Sequence, residues 1–183
     1  MMTLVGFTQE RDALVEEILP LFKQHARLRP DDTSEDALLS VYVAAAIGAA
    51  ENYLLRDVFP TERQWSGNFS ESFVARHGRA SAVVMTNGAG PVTDYQTVGS
   101  PDPKTWGFEL VPGAAVTGAT LTASTGWDTF AEMPPDLQQF ILVAASAFYE
   151  VRELSNSGGS IGSQSAAFLP LYLLDSWGNL TYA

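Results

Sequence analysis

Ser34-Glu35-Asp36-Ala37-Leu38-Leu39-Ser40-Val41-Tyr42-Val43-Ala44-Ala45-Ala46-Ile47-Gly48-Ala49-Ala50-Glu51-Asn52-Tyr53-Leu54-Leu55-Arg56 reads as one helix with two apolar faces. Thr33 or Ser34 can cap it, and Glu35 and Asp36 follow where the helix dipole favours negative charge. One face carries Leu38, Val41, Ala45 and Ala49; another carries Leu39, Val43, Ile47, Ala50 and Leu54. A helix that is apolar on both sides has to be covered on both. Its alanines and Gly48 also permit close approach of another helix. Two readings stand: a central core helix, or a helix held between its own core and a neighbouring subunit. Periodicity alone does not separate them.

On the N-terminal side, residues 8–26 read as a helix, with Thr8 as N-cap and Leu14, Ile18, Leu21 and Phe22 as an apolar stripe. Pro20 is expected to end or kink it near Leu19. On the C-terminal side, helical periodicity gives way from about 63 to 127 to Gly, Thr, Ser, Val and aromatic residues. Ala82–Met85, Asp94–Val98, Thr105–Val111 and Ala119–Ala123 read as strands, and Asn87-Gly88 as a tight turn. Helix returns over 135–154, entered through Met133-Pro134-Pro135-Asp136. A Gly/Ser linker follows, then a last helix over about 166–175 and a tail over 176–183. The expected fold is α+β in a single domain: mainly an α-helical bundle of about four helices, with a β-rich antiparallel hairpin insertion between helices 2 and 3.

Composition narrows the function. Twenty-one acidic residues against 10 basic ones leave a net charge of −11 over 183 residues, and no basic run occurs. Gripping nucleic acid through its phosphates needs clustered Lys and Arg, so the charge argues against that class. An acidic surface still suits a channel that DNA slides through, because it repels the backbone. With no cysteine, disulfides, thiolate metal sites and cysteine nucleophiles are excluded. No basic segment leads into an apolar one near Met1, and the apolar run Ala37–Ala50 is short for a bilayer, so neither a signal peptide nor a membrane is expected.

No constellation converges on chemistry. Gly158-Gly159-Ser160-Ile161-Gly162-Ser163 lacks the Lys-Ser/Thr of a phosphate loop and reads as a linker. His25 and His77 have no metal-site spacing, and no Gly-x-Ser-x-Gly elbow exists. Glu150, Arg152 and Glu153 read as a salt-bridge network rather than a catalytic dyad. No catalytic residue, metal or cofactor is expected. A carbohydrate-binding or hydrolase module would need Trp65, Trp106 and Trp127 exposed on one concave face. Core or interface aromatics are the simpler reading.

The order of parts, with four local motifs, resembles the head–tail connector (adaptor) family of long-tailed bacteriophages. The motifs are Ser34–Leu39 running through Ala44–Ile47 to Ala50–Leu54; Thr120–Trp127; Met133–Leu142 through Phe148–Glu153; and Leu169–Leu174. Phe148, Val151 and the polar stretch from Ser66 to Ser81 depart from the family pattern. The resemblance implies a structural virion protein at the head–tail junction, made in the host cytoplasm. It implies a homo-oligomeric ring, commonly a dodecamer, under the portal protein. A tail-side neck protein or tail terminator would lie beyond it, with DNA passing through the lumen without specific binding. Ala45, Ala49 and Tyr53 are then expected at the subunit interface, and Leu173, Leu174, Trp177 and Tyr182 as anchors on the portal. Another neck component, a head-closure or tail-completion protein, is the alternative.

Overall fold

The computed structural model describes residues 1–78, 80–98, 107–156 and 170–177. The chain divides into two compact units. One comprises Met1–Glu10 and Leu55–Trp127, the other Arg11–Leu54 and Asp128–Ala183.

The first unit is all β. Its strands are β1 (Met2–Gln9), β2 (Thr61–Phe69), β3 (Phe73–Ala75), β4 (Ala80–Asn87), β5 (Gly90–Pro91), β6 (Tyr95–Val98), β7 (Phe108–Pro112) and β8 (Val116–Thr125). They form a five-stranded sheet in the order β1-β2-β8-β4-β5 and a three-stranded sheet in the order β3-β7-β6. Every pairing is antiparallel. Alternation decides which face is inside. Ala119, Leu121 and Ala123 of β8 are buried, as are Trp65 and Phe69 of β2 and Met85 of β4. Phe108 and Leu110 of β7 and Ala75 of β3 join them in one core. Trp65 is central, edge-on to both Phe73 and Phe108. Gly126, at φ +82°, ends β8 where a Cβ would collide with the Phe59 carbonyl, so both the backbone angle and the space require glycine.

A buried polar knot ties the segment leading into β2 to the end of β8. Arg63 donates from Nε and a terminal nitrogen to the two Asp57 carboxylate oxygens, at 2.7 and 2.6 Å. The side chains are 13% and 8% exposed. Thr125 Oγ1 donates to the same carboxylate at 2.6 Å, and the Asp57 amide donates to the His77 carbonyl at 3.0 Å. A bidentate, hydrogen-bonded pair is the form in which a charge can be buried. Burial, and then the Arg63 charge, hold the His77 imidazole below its ordinary pKa.

The second unit holds α1 (Asp12–His25), α2 (Asp36–Leu54) and α3 (Pro135–Asn156), with 3-10 turns at Phe130–Glu132 and Leu171–Trp177. The three helices pack on one another. Leu14, Val15, Ile18 and Phe22 of α1 are buried, as are Leu137, Phe140, Ile141 and Ala144 of α3. Lys23 is buried beneath the α1–α2 turn, paired with the Asp36 carboxylate and donating to the Asp32 carbonyl at 2.8 Å. After α1 the chain reverses through Arg27 at φ +57°, closed by Arg27 N–H to Gln24 O and Leu28 N–H to Lys23 O. This is the Schellman pattern without its usual glycine.

The expected helical bundle with an inserted hairpin is therefore corrected. Among the described residues eight strands form two antiparallel sheets, and with 40% helix and 33% strand this is a strand-rich α+β fold. The first eight residues past Met1 are strand, not the run-up to a helix. Thr8, expected as an N-cap, pairs with Glu62 in the sheet, and α1 starts only at Asp12. The β unit is thus no simple insertion between helices 2 and 3, since its edge strand comes from the N-terminal side of α1. Pro20 does not end α1, which runs through to His25. It lies on the exposed side, where water can serve the carbonyl it leaves unpaired. Of the last expected helix, 171–177 is a 3-10 segment; 166–169 and the tail beyond Trp177 lie outside the described residues.

Removing Asp57 leaves a buried guanidinium without its counter-charge. Asp57→Ala is expected to lower unfolding free energy by about 3–5 kcal/mol in urea denaturation of the full chain. The double variant Asp57→Leu/Arg63→Met should lose less than Asp57→Ala alone. A loss below ~1 kcal/mol for the single variant would mean that the knot does not hold the sheet.

Candidate functional site

The site is built on α2. The turn before it is set by Asp32, whose Oδ1 accepts from the Ser34 amide at 3.0 Å and from Ser34 Oγ at 2.6 Å. These bonds hold the Asp32 carboxyl below its usual pKa. Ser34 therefore binds back to Asp32, and the Asp36 amide takes the Thr33 carbonyl at 3.3 Å. The helix then runs from Asp36 to Leu54 with no charged side chain between Asp36 and Glu51.

The structure treats the two apolar faces differently. Leu39, Val43, Ala46, Ile47, Ala50 and Leu54 are buried within the unit. The other face stays open: Val41 is 59% exposed and Leu38 37%, and Ala45 is exposed too. A Cβ built on Gly48 meets nothing within 4 Å. Leu38, Val41, Ala45 and Gly48 step along the helix by three, four and three residues, the spacing of a seam that packs against another helix. Among the described residues α2 is also the one helix long and apolar enough to cross a membrane by length and composition, with a third of that stretch buried.

Of the three residues expected at a subunit interface, Ala45 lies on the open face and Ala49 at its half-buried margin. Tyr53 is half-buried, and its hydroxyl donates to Asp175 Oδ1 at 2.7 Å within the same unit. Of the expected portal anchors, Leu174 and Trp177 are buried against the unit's own helices, and Leu173 is half-buried. Trp177 Nε1 and Ser176 Oγ both donate to Asp136 Oδ2, at 3.0 and 3.2 Å, pinning this segment to the start of α3. The large exposed side chain here is Tyr172, which the sequence reading passed over. Tyr182 lies outside the described residues.

Chemistry finds no foothold on the remaining candidates. Trp65 and Trp127 are buried, so they present no stacking face, and Trp106 lies outside the described residues. His25 and His77 lie in different units. Glu150 is exposed, and the side chains of Arg152 and Glu153 fall outside the described set. Among the described residues no three His, Asp or Glu gather as for a metal ion. A recess of about 250 Å³ at the α1–α2 turn mixes cations and carboxylates, from Lys23, Arg27, Asp32 and Glu35. Lys23 is already committed to Asp36.

No protein-family model matches the chain, and no curated protein sequence does. Solved structures are similar over its whole length. A chain in the neck of an empty gene transfer agent particle, computed with six-fold symmetry, aligns at TM-score 0.64 with 20% identity. One in the neck of the native particle, computed with twelve-fold symmetry, gives 0.65 and 17%. One in the virion of the native particle gives 0.62 and 20%. Each alignment covers 98% of both chains. At this identity the likeness establishes a shared fold.

The two faces of α2 make opposite demands on a substitution. Ala45→Glu puts a carboxylate in water and is expected to leave stability within about 0.5 kcal/mol. Ala46→Glu, one residue on, buries it among Val43, Ala50 and α3, costing several kcal/mol. Thermal unfolding by circular dichroism separates them. Equal losses would place Ala45 in the unit's own core.

Proposed function

We propose that this protein is a structural, non-enzymatic subunit of the neck of a phage-like particle, acting as a homo-oligomeric ring. The observation that carries the reading is the fold likeness to neck chains over 98% of both lengths. The open, uncharged face of α2 supports it. In a chain of net charge −11, copies repel unless they meet where acid is absent. Leu38, Val41 and Ala45, with Ala49 at the margin, form such a strip, and a different surface of each copy would cover the strip of its neighbour. The finer proposal is an adaptor below the portal, with tail components on the far side and DNA passing an acidic lumen it does not bind. Tyr172, with the half-buried Leu173, is the exposed part of the C-terminal segment available for a portal contact.

The test is genetic and structural. Deleting the coding sequence in the producing cell should leave filled or empty heads without tails, by electron microscopy. Wild-type protein should restore tails, whereas the folded Ala45→Glu variant should not. Normal tailed particles without the protein would end the neck reading. Normal particles with Ala45→Glu would remove α2 from the interface.

A further inference from the structure

Among the described residues the β unit's edge strands are β1 and β5 of the larger sheet and β3 and β6 of the smaller, and β1 and β6 lie on opposite flanks. β1 ends the five-stranded sheet and pairs only with β2 among the described residues; β6 ends the three-stranded sheet and pairs only with β7. Their placement follows from side-chain contacts between the sheets. Phe73 of β3 packs edge-on to Trp65 of β2, so β3 lies on the β2 side. Tyr95 of β6 donates its hydroxyl to the Val83 carbonyl of β4 at 3.2 Å, so β6 lies on the β4 side, away from β1.

Both edges lack charge and proline, two of the features that usually keep strands from pairing, although β1 carries a bulge between Leu4 and Gly6 and β6 is four residues long. Met1 to Gln9 contains no charged residue and no proline, and neither does Tyr95 to Val98. Yet β1 exposes Leu4, Val5 and Phe7, the last at 62%, and β6 exposes Val98. Single exposed apolar side chains mean little. A run of them on an open, uncharged edge in so acidic a chain means that like charge does not bar a second copy there.

We propose that the β1 edge of one copy pairs with the β6 edge of the next, so that the sheets run on from subunit to subunit. The occupant follows from geometry and charge. Two different edges on opposite flanks make a head-to-tail contact, the type that closes into a ring, whereas β1 against β1 would make an isolated two-fold dimer. Neither strand offers a charge for a charged partner to recognise. The inference rests on the ring reading and adds which backbone edges join the copies. Four residues of overlap make few hydrogen bonds, so a single contact is weak and the closed ring stabilises each one.

Because the chain contains no cysteine, introduced thiols are the chain's only targets for cross-linking, and an antibody to this chain reads out its cross-linked species. Val5→Cys is combined in turn with Gln96→Cys, Thr97→Cys and Val98→Cys, so that any register is sampled, and all four positions are exposed. Particles assembled from each full-length chain are treated with a short bismaleimide and run on denaturing gels. At least one pair should give a ladder of dimer, trimer and higher species, while each single cysteine stays monomeric. Dimers from Val5→Cys alone would overturn the proposal in favour of β1 against β1. Monomer from every pair, in particles whose neck holds the chain, would also overturn it, and would leave the ring reading intact. Failure of the unmodified chain to appear in the neck would instead sink the ring reading and this inference with it.

Discussion

A helix that is apolar around its whole circumference must be covered on every side, and α2 is covered by its own chain on one side only. Leu39, Val43, Ala46, Ile47, Ala50 and Leu54 are anchored in the helical unit. That burial, at about 25 cal/mol per Å² of apolar surface, organises α1 and α3 around them. The same sequence leaves Leu38, Val41 and Ala45 facing outward without a charge among them. In the proposed ring, folding and association draw on opposite faces of one element. A substitution on one face should act on stability and on the other face on assembly.

Acidity sets the second condition. With 11 more carboxylates than cations, separate copies repel over most of their surface, and contact is favourable only where charge is missing. The α2 face is one such place, and the edges of β1 and β6 are two more. Two cations are held against carboxylates away from solvent: Arg63 with Asp57, and Lys23 with Asp36. Cations used in this way are not available for phosphate, which agrees with the proposed channel.

Much of the helical unit was legible in the sequence, because three long periodic segments declare themselves through their apolar spacing. The two faces of α2 could be listed from the sequence; which one its own chain would bury could not, since that depends on where α1 and α3 return. The sheet was harder. β8 was recognised by alternation, β4 as a short apolar run, and β6 and β7 as strand-like stretches, but β2 buries only Thr61, Trp65 and Phe69 among polar neighbours, and its reach was blurred. β1 was missed because its partner lies some 60 residues away and its own side chains are mostly exposed. Thr3-Leu4-Val5-Gly6-Phe7-Thr8 does carry the β-branched and aromatic residues of a strand, the signal that could have found it. Nor could spacing join Asp57, Arg63 and Thr125, because Thr125 reaches the pair only through strand register.

In the proposed ring, the open face of α2 is closed by another copy of the chain. A cryo-electron microscopy reconstruction of the particle neck at a resolution that separates helices tests it most directly. In every subunit of the ring, Leu38, Val41 and Ala45 should lie against the neighbouring copy and be removed from solvent. A ring in which that face of α2 looks onto solvent, or a neck with no copy of this chain in it, would contradict the claim.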